Sequence, residues 1–376
     1  MTTVFVHDHR FKFLDGVYYS EGQLTSKTWE RFLNHDDELI VVGRVVKMQN
    51  LTGKFSISSA DGVSFNCFNQ IKLLDRLFPA NIDKSIAKII SSADHVVCRI
   101  PSFLGRRAFK IAKKLEKKVL VEVVGCPYDS YRNHGSYMGK ILAPIERLLM
   151  KRILANSTFS VYVTKTFLQS RYPTSGLQCS ISNVELVSHN IRSEIKPKAN
   201  KIAFIGSLSA SYKGLSDLIT SLSYVTKEND SVELHVLGSG DIKSYKSQAS
   251  ALGVEDKIYF HEPIAGGVPV LKWLSQFDLY VQPSHTEGLP RALIEAMSVG
   301  LPCIASDVGG IPELLNNSSL FPAKDAASLS DLIILLLNDY NLRKLHSSEN
   351  VVKAQSYLFD SLSKLRKTFL DQFYST

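Results

Sequence analysis

The sequence predicts an α/β protein built on parallel sheets and divided into two domains. Three observations predict this. Residues 278–315, DLYVQPSHTEGLPRALIEAMSVGLPCIASDVGGIPELL, read as strand, loop, helix and strand, the repeating unit of a parallel sheet. Short apolar runs alternate with helix-like stretches through the second half of the chain. The chain has 376 residues, 44% apolar and 21% charged. That is ordinary globular composition in a length beyond what one core of about 250–300 residues usually serves.

Taken in order, residues 4–6 form a first strand, followed by a polar loop with His7, Asp8, His9 and Arg10. A glycine loop, 16–22, carries Tyr18, Tyr19 and Gly22 and leads into a helix around 29–32. Strands follow at 39–42, 95–98 and 119–124, with a basic helix over 103–116, and 159–164 ends this half. The Pro-, Ser-, Asn- and Lys-rich stretch 173–200 reads as the interdomain connection. The second half alternates strands at 202–205, 233–237, 257–260, 279–282 and 303–305 with helices at 214–226, 241–252, 268–276 and 290–299. Helices over 325–338, 340–356 and 359–373 complete the chain, the last of them amphipathic.

The loop after residues 279–282 holds the most chemistry. Glu287 stands in it and Glu295 in the following helix, with seven residues between them. Pro290 suits a first helical position, and Gly300 and Pro302 stop the helix. Ligands of such sheets bind beyond the carboxyl ends of the strands. The Gly288 and Leu289 amides and the helix dipole, worth roughly 0.3–1 kcal/mol, face an anion there. A carboxylate beside that anion suits sugar hydroxyls. Gly206 and Gly214 bracket a second strand-to-helix loop in which Lys213 is a point charge suited to a diphosphate. Gly238 and Gly240 let backbone approach a ligand.

Composition narrows the remaining classes. The five cysteines lack metal spacing and read as reduced thiols of the cytoplasm. No apolar run spans a bilayer, and the first residues do not read as a signal peptide. The net charge of +8 concentrates between Arg106 and Arg152. No nucleic-acid motif accompanies it, whereas 139–154 mixes cations with apolar residues as an interfacial helix does. Two readings of the patch stand: a solvated helix face of a cytoplasmic protein, and peripheral association with the anionic inner face of the plasma membrane. Asp-x-Asp and His-rich metal signatures are absent, and no Gly-x-Gly-x-x-Gly supports a dinucleotide oxidoreductase.

The 278–315 segment resembles the donor-binding signature of family-4 glycosyltransferases of the GT-B fold, with its Glu-x7-Glu motif. The resemblance continues through FIGSLSASYKG (204–214), LHVLGSGD (234–241) and LGVEDKIYFHEPI (252–264), covering about 201–320. The N-terminal half is similar more loosely, mainly to bacterial enzymes of capsule and O-antigen assembly. The implied fold is two Rossmann-like, doubly wound domains facing a central cleft. Residues 1–185 would form the acceptor side, 186–358 the nucleotide-sugar side, and 359–376 a helix crossing back onto the first domain.

The resemblance implies a retaining transferase that uses no metal or cofactor and moves a sugar from a UDP- or GDP-sugar to a glycan or lipid-linked acceptor. Its donor residues map to Gly206, Ser207, Lys213, Gly238, Gly240, Glu262, Pro263, Ile264, His285, Glu287, Gly288, Leu289, Pro290, Arg291 and Glu295. Ser207 stands where the family commonly has Arg, with the Ser207 and Ser209 hydroxyls, or Arg291, as compensating groups. Glu262 stands where Gly is usual in the base-reading loop. Glu287 would hold the donor sugar, Glu295 the ribose, and Lys213 the diphosphate. Gly125 occupies the place expected for the family's His, leaving Asp129 and His134 as candidates. Acceptor-side candidates are His7, His9, Arg10, Tyr18, Tyr19, Gly22, Arg99 and Ser102. A catalytically weak, nucleotide-sugar-binding partner subunit and a GT-B epimerase are the alternatives.

Overall fold

The computed structural model describes residues 1–22, 24–50, 55–133 and 137–375. The first sheet is formed by β1 (Thr2–Leu14), β2 (Val17–Ser20), β3 (Glu38–Lys47), β4 (Ser56–Ile57), β5 (Val63–Phe65), β6 (His95–Ile100), β7 (Lys118–Val123), β8 (Phe159–Tyr162) and β9 (Leu177–Ser180). Its helices are α1 (Ser26–Leu33), α2 (Leu73–Leu77), α3 (Ala80–Ser91), α4 (Phe103–Lys114), α5 (Pro127–Arg132), α6 (Tyr137–Ala155) and α7 (Phe167–Arg171). The parallel order β5-β3-β1-β6-β7-β8-β9 reverses direction between β1 and β6, as in a doubly wound sheet.

The second sheet is fully parallel, in the order β12-β11-β10-β13-β14-β15. It comprises β10 (Lys201–Ile205), β11 (Glu233–Leu237), β12 (Ile258–His261), β13 (Leu279–Gln282), β14 (Cys303–Ser306) and β15 (Leu320–Phe321). The helices are α8 (Leu215–Glu228), α9 (Lys243–Ala251), α10 (Val268–Leu274), α11 (Arg291–Ser298), α12 (Ala326–Asn338) and α13 (Tyr340–Ala354). Both faces are covered, so the strands are mainly apolar, with polar residues mostly at their ends. Ile202 and Phe204 pack on Leu218 and Leu222 of α8, while Ala203 and Tyr280 pack on Leu293 and Met297 of α11. The order reverses between β10 and β13, which places the Lys213 loop beside the Glu287 loop.

The chain then returns to the first domain. Leu186 N donates to Tyr357 O (2.9 Å) and Phe359 N donates to Leu186 O (3.0 Å) where the two crossings run side by side. The last helix, α14 (Phe359–Ser375), buries Leu362, Phe369, Leu370 and Phe373 against Phe5, Val97 and Leu120. Each such side chain contributes about 1.5–3 kcal/mol.

Two expectations for the first half are corrected. His7–Arg10 is not a loop, because β1 runs on to Leu14. A bulge between Val6 and Arg10 absorbs the polar residues, and pairing with β3 resumes at Arg44. The 16–22 segment is not a free glycine loop either. Asp15 (φ 47°) and Gly16 (φ 82°) form a tight turn, and β2 folds back on β1. Tyr18 therefore stacks on Phe65, ring centroids 4.2 Å apart, inside the core. Within 173–200, residues Leu177–Ser180 join the first sheet as β9.

Candidate functional site

The donor-side residues converge at the carboxyl ends of β10 and β13. Lys213 Nζ donates to Glu287 Oε1 at 2.7 Å. The same oxygen accepts from Ser284 Oγ (2.7 Å) and Gln282 Nε2 (3.3 Å). Gln282 is itself oriented by Tyr280, whose hydroxyl donates to Gln282 Oε1 at 2.5 Å. Ser306 Oγ donates to the Ser284 carbonyl at 2.5 Å. The Glu287 carboxylate is thus fixed by a buried polar chain rooted in β13 and β14, and its side chain is only 9% exposed.

The two loops are pinned to each other. His285 Nε2 lies 2.5 Å from Asp217 Oδ2, and His285 N donates to Tyr212 O at 2.7 Å. Gly214 has φ 76°, and a Cβ there would sit 1.8 Å from the Pro283 carbonyl oxygen. Only glycine permits that approach. Gly309 (φ 61°) serves the same purpose under Glu287, and Gly310 N donates to Gly288 O at 2.8 Å. Gly238 and Gly240 lie against the Gly206–Ser209 loop, where Leu208 N donates to Ser239 O at 2.8 Å.

Glu295 is buried on α11, and Arg291 Nη1 approaches its Oε1 at 3.7 Å. Burial, partly offset by Arg291, raises the Glu295 carboxyl to about 6. Pro290 stands one residue ahead of α11 and offers it no side-chain cap. Ser207, Glu262 and Pro263 are exposed at the strand ends, and Ile264 leans on the second core. Leu289 packs on that core as well.

The first domain closes the comparable position with its own groups. Asp8 accepts from the Phe103 and Leu104 amides (2.6 and 3.0 Å) at the head of α4, and Ser102 Oγ accepts from Gly105 N at 2.9 Å. Ser102 is therefore a helix cap. His7 Nδ1 is buried without a hydrogen-bond partner, and burial followed by Arg99 pushes this histidine down to about 3. Burial and Arg99 also lower His9, to about 4, and its Nε2 lies 2.9 Å from Ser20 Oγ. Arg10 is exposed. Tyr19 pairs with Ile57, and Gly22 N donates to Ser20 Oγ at 3.0 Å. Arg99 is turned toward Glu122 (3.3 Å). Asp129 is engaged by Arg171 at 2.6 Å rather than projecting free. His134 lies outside the described residues.

The domains touch across the cleft. Glu313 of the second domain accepts from the Lys165, Thr166 and Phe167 amides (2.5, 2.9 and 2.6 Å) ahead of α7. Asn133 Nδ2 donates to His285 O at 3.4 Å. Sequence reading missed Gln282, Ser284 and Tyr280. A glutamine ending an otherwise apolar buried strand was the available signal. Among the described residues, no group of three or more His, Cys, Asp or Glu side chains is placed to hold a metal.

A family profile described as "Glycosyl transferases group 1" matches residues 189–350. Protein CapJ of Staphylococcus aureus is 35% identical over 358 residues, covering 94% of this chain and 90% of that protein. Sucrose-phosphate synthase from Thermosynechococcus elongatus is similar in structure, with TM-score 0.71 at 14% identity over 100% of this chain and 99% of the other. HepE of Anabaena, solved with UDP and glucose, gives TM-score 0.67 at 15% identity over 100% of both chains. The shared architecture is the GT-B fold.

Proposed function

Because the chain belongs to the group 1 glycosyltransferases, we propose that it is a retaining, metal-independent enzyme of bacterial surface-polysaccharide synthesis. It moves a sugar from a nucleoside diphosphate sugar to a hydroxyl of a glycan or lipid-linked acceptor. The observation that carries this reading is the Lys213–Glu287 pair at the β10–β13 switch point, in the loops that lead into α8 and α11. As the glycosidic bond breaks, charge builds on the departing diphosphate. Lys213 and the α11 amides stabilise it there, in a site already ordered for the purpose. Glu287, relieved of Lys213, accepts hydrogen bonds from the donor sugar, and ionised Glu295 accepts from the ribose hydroxyls. The leaving phosphate takes the acceptor proton on the same face, so no separate base is required. The UDP held by HepE supports the donor class.

The test is donor hydrolysis and transfer with a panel of UDP- and GDP-sugars, followed in wild type and in Glu287→Ala. Turnover of one donor, lost in the variant while nucleotide binding persists, is the expected result. Binding without any turnover would instead identify a non-catalytic partner subunit.

Peripheral membrane binding belongs to the same reading. No helix among the described residues is long and apolar enough to cross a membrane. On α6, Tyr137 (86% exposed), Ile141 (63%), Ile145 and Leu148 form an exposed apolar stripe beside Lys140, Arg147 and Lys151. Part of the basic patch is consumed internally, since Arg106 pairs with Glu146 and Arg107 with Asp83. Ile141→Asp should abolish sedimentation with anionic vesicles at low salt and leave the melting temperature unchanged. Undiminished sedimentation would refute the docking face.

A further inference from the structure

A cavity of about 930 Å³ opens between α1, α14, the end of β6 and the head of α11. Seven Lys and Arg side chains line it against three carboxylates. Arg31, Arg99 and Arg366 line it, and the same three arginines with Glu122 line a small adjoining pocket of about 20 Å³. One carboxylate there serves two guanidiniums: Glu122 lies 2.9 Å from Arg31 Nη2 and 3.3 Å from Arg99 Nη1. The Arg31 contact is an ion pair without hydrogen-bond geometry, and Arg31 Nε and Nη2 are buried with no hydrogen-bond acceptor. Arg366 is held by Glu185 at 2.6 Å and by the Ser182 carbonyl at 3.1 Å.

This is an unusual state for buried arginine. Leaving a buried donor unmade costs about 1–3 kcal/mol, and native proteins rarely carry such groups without a use for them. Burial lowers Arg31 to about 10, and Arg366 and Arg99 push in the same direction against Glu122. The group is still cationic at neutral pH, beside two like charges. A neutral sugar could accept hydrogen bonds there but would leave the excess positive charge uncompensated. A phosphate supplies several acceptor oxygens in the geometry of a guanidinium fork and a matching charge. The cavity reaches Arg291, at the head of the helix that carries Glu295, so its occupant would lie beside the donor site.

We propose that this cavity holds a phosphate or diphosphate group of the acceptor, with Arg31, Arg99 and Arg366 as its anchors. The inference rests on the glycosyltransferase reading and specifies its second substrate as an anionic one. The group can come from a lipid-linked glycosyl diphosphate or from a soluble sugar phosphate.

The test titrates protein already saturated with UDP, using inorganic pyrophosphate, farnesyl diphosphate and glucose 1-phosphate in separate calorimetric runs. One anion site per chain that persists under UDP is expected. Arg99→Gln and Arg366→Gln should weaken it at least tenfold while UDP affinity changes less than twofold. Lys364→Glu, at the exposed rim, should weaken it at least threefold and keeps the test open if an arginine variant fails to fold. Preference for farnesyl diphosphate identifies a lipid-linked acceptor, preference for glucose 1-phosphate a soluble one, and either supports the proposal. No anion binding under UDP, or binding that the three substitutions leave unchanged, overturns it and marks the arginines as an internal ion-pair network. A separate UDP titration of the same wild-type and variant proteins reports on the donor reading.

Discussion

Lys213→Ala probes both the order of the donor site and its chemistry. The substitution removes the ammonium 2.7 Å from Glu287 Oε1 but leaves Ser284 (2.7 Å) and Gln282 (3.3 Å) on that oxygen. A unit charge pair near 4 Å is worth about 4 kcal/mol at an effective dielectric of 20. Lys213 is 22% exposed and regains hydration when the pair is gone, so the net cost to folding is about 1–2 kcal/mol. That corresponds to a fall in melting temperature on the order of 2–6 °C. The chemical effect is larger. Loss of a preorganised donor to developing negative charge costs about 2.7–4 kcal/mol, or roughly 10²–10³ in turnover. The assay pairs UDP titration by calorimetry with UDP release from the preferred donor. Tenfold weaker UDP binding and at least a hundredfold slower release are expected. Turnover and affinity within threefold of wild type, in a variant that melts cooperatively, would refute the assignment of Lys213 to the diphosphate.

The other expectations are more local. Glu295 titrates near 6 in the folded chain against an ordinary value of 4.5, so folding favours its protonated form. Its contribution to stability is greatest below pH 4.5 and is lost as pH rises through 6, by about 2 kcal/mol. Glu295→Gln should flatten the melting temperature across this window, and an unchanged slope would contradict the assignment. Gly214→Ala places a Cβ 1.8 Å from the Pro283 oxygen at φ 76°. It should cost more than about 1–3 kcal/mol and eliminate UDP binding, and a wild-type titration curve would argue against the close approach. Glu313→Ala removes the acceptor for three amides ahead of α7 and should cost about 1–2 kcal/mol. Hydrogen exchange at Lys165–Phe167 should accelerate, and unaltered protection would count against the contact.

The second domain was legible because its strands are short apolar runs with Gly and Pro at their ends. Leu279–Gln282 and Cys303–Ser306 emerge almost as read. The first domain was less so. The His-Asp-His-Arg stretch breaks the apolar run of β1, yet Phe11 lies in the core beyond it and the Asp15–Gly16 turn folds β2 onto it. That Asp-Gly signal was present and passed over. β9 was hidden because a four-residue, half-exposed edge strand carries little pattern. At the site, residue types pointed to Lys213, Glu287 and Glu295. What orients Glu287 was not readable, since Tyr280, Gln282 and Ser284 acquire that task only when β13 packs beside β14. The Arg31, Arg99 and Arg366 cluster comes from three elements distant in sequence, and only the fold brings it together.

The contrast between the two switch points has a consequence for the polarity of the whole molecule. The parallel run β5-β3-β1-β6-β7-β8 of the first sheet matches β12-β11-β10-β13-β14-β15 of the second, so the two domains present comparable helix heads, those of α4 and α11. In the first domain, the carboxylate of Asp8 and the hydroxyl of Ser102 already satisfy that head. In the second, α11 begins behind a proline that supplies nothing equivalent. Under the proposed reading, the nucleotide diphosphate has one open helix head to bind, that of α11, and so a single way round to sit in the cleft. The direction of transfer, from the second domain toward the first, is then written into which helix the chain has stoppered with its own side chains.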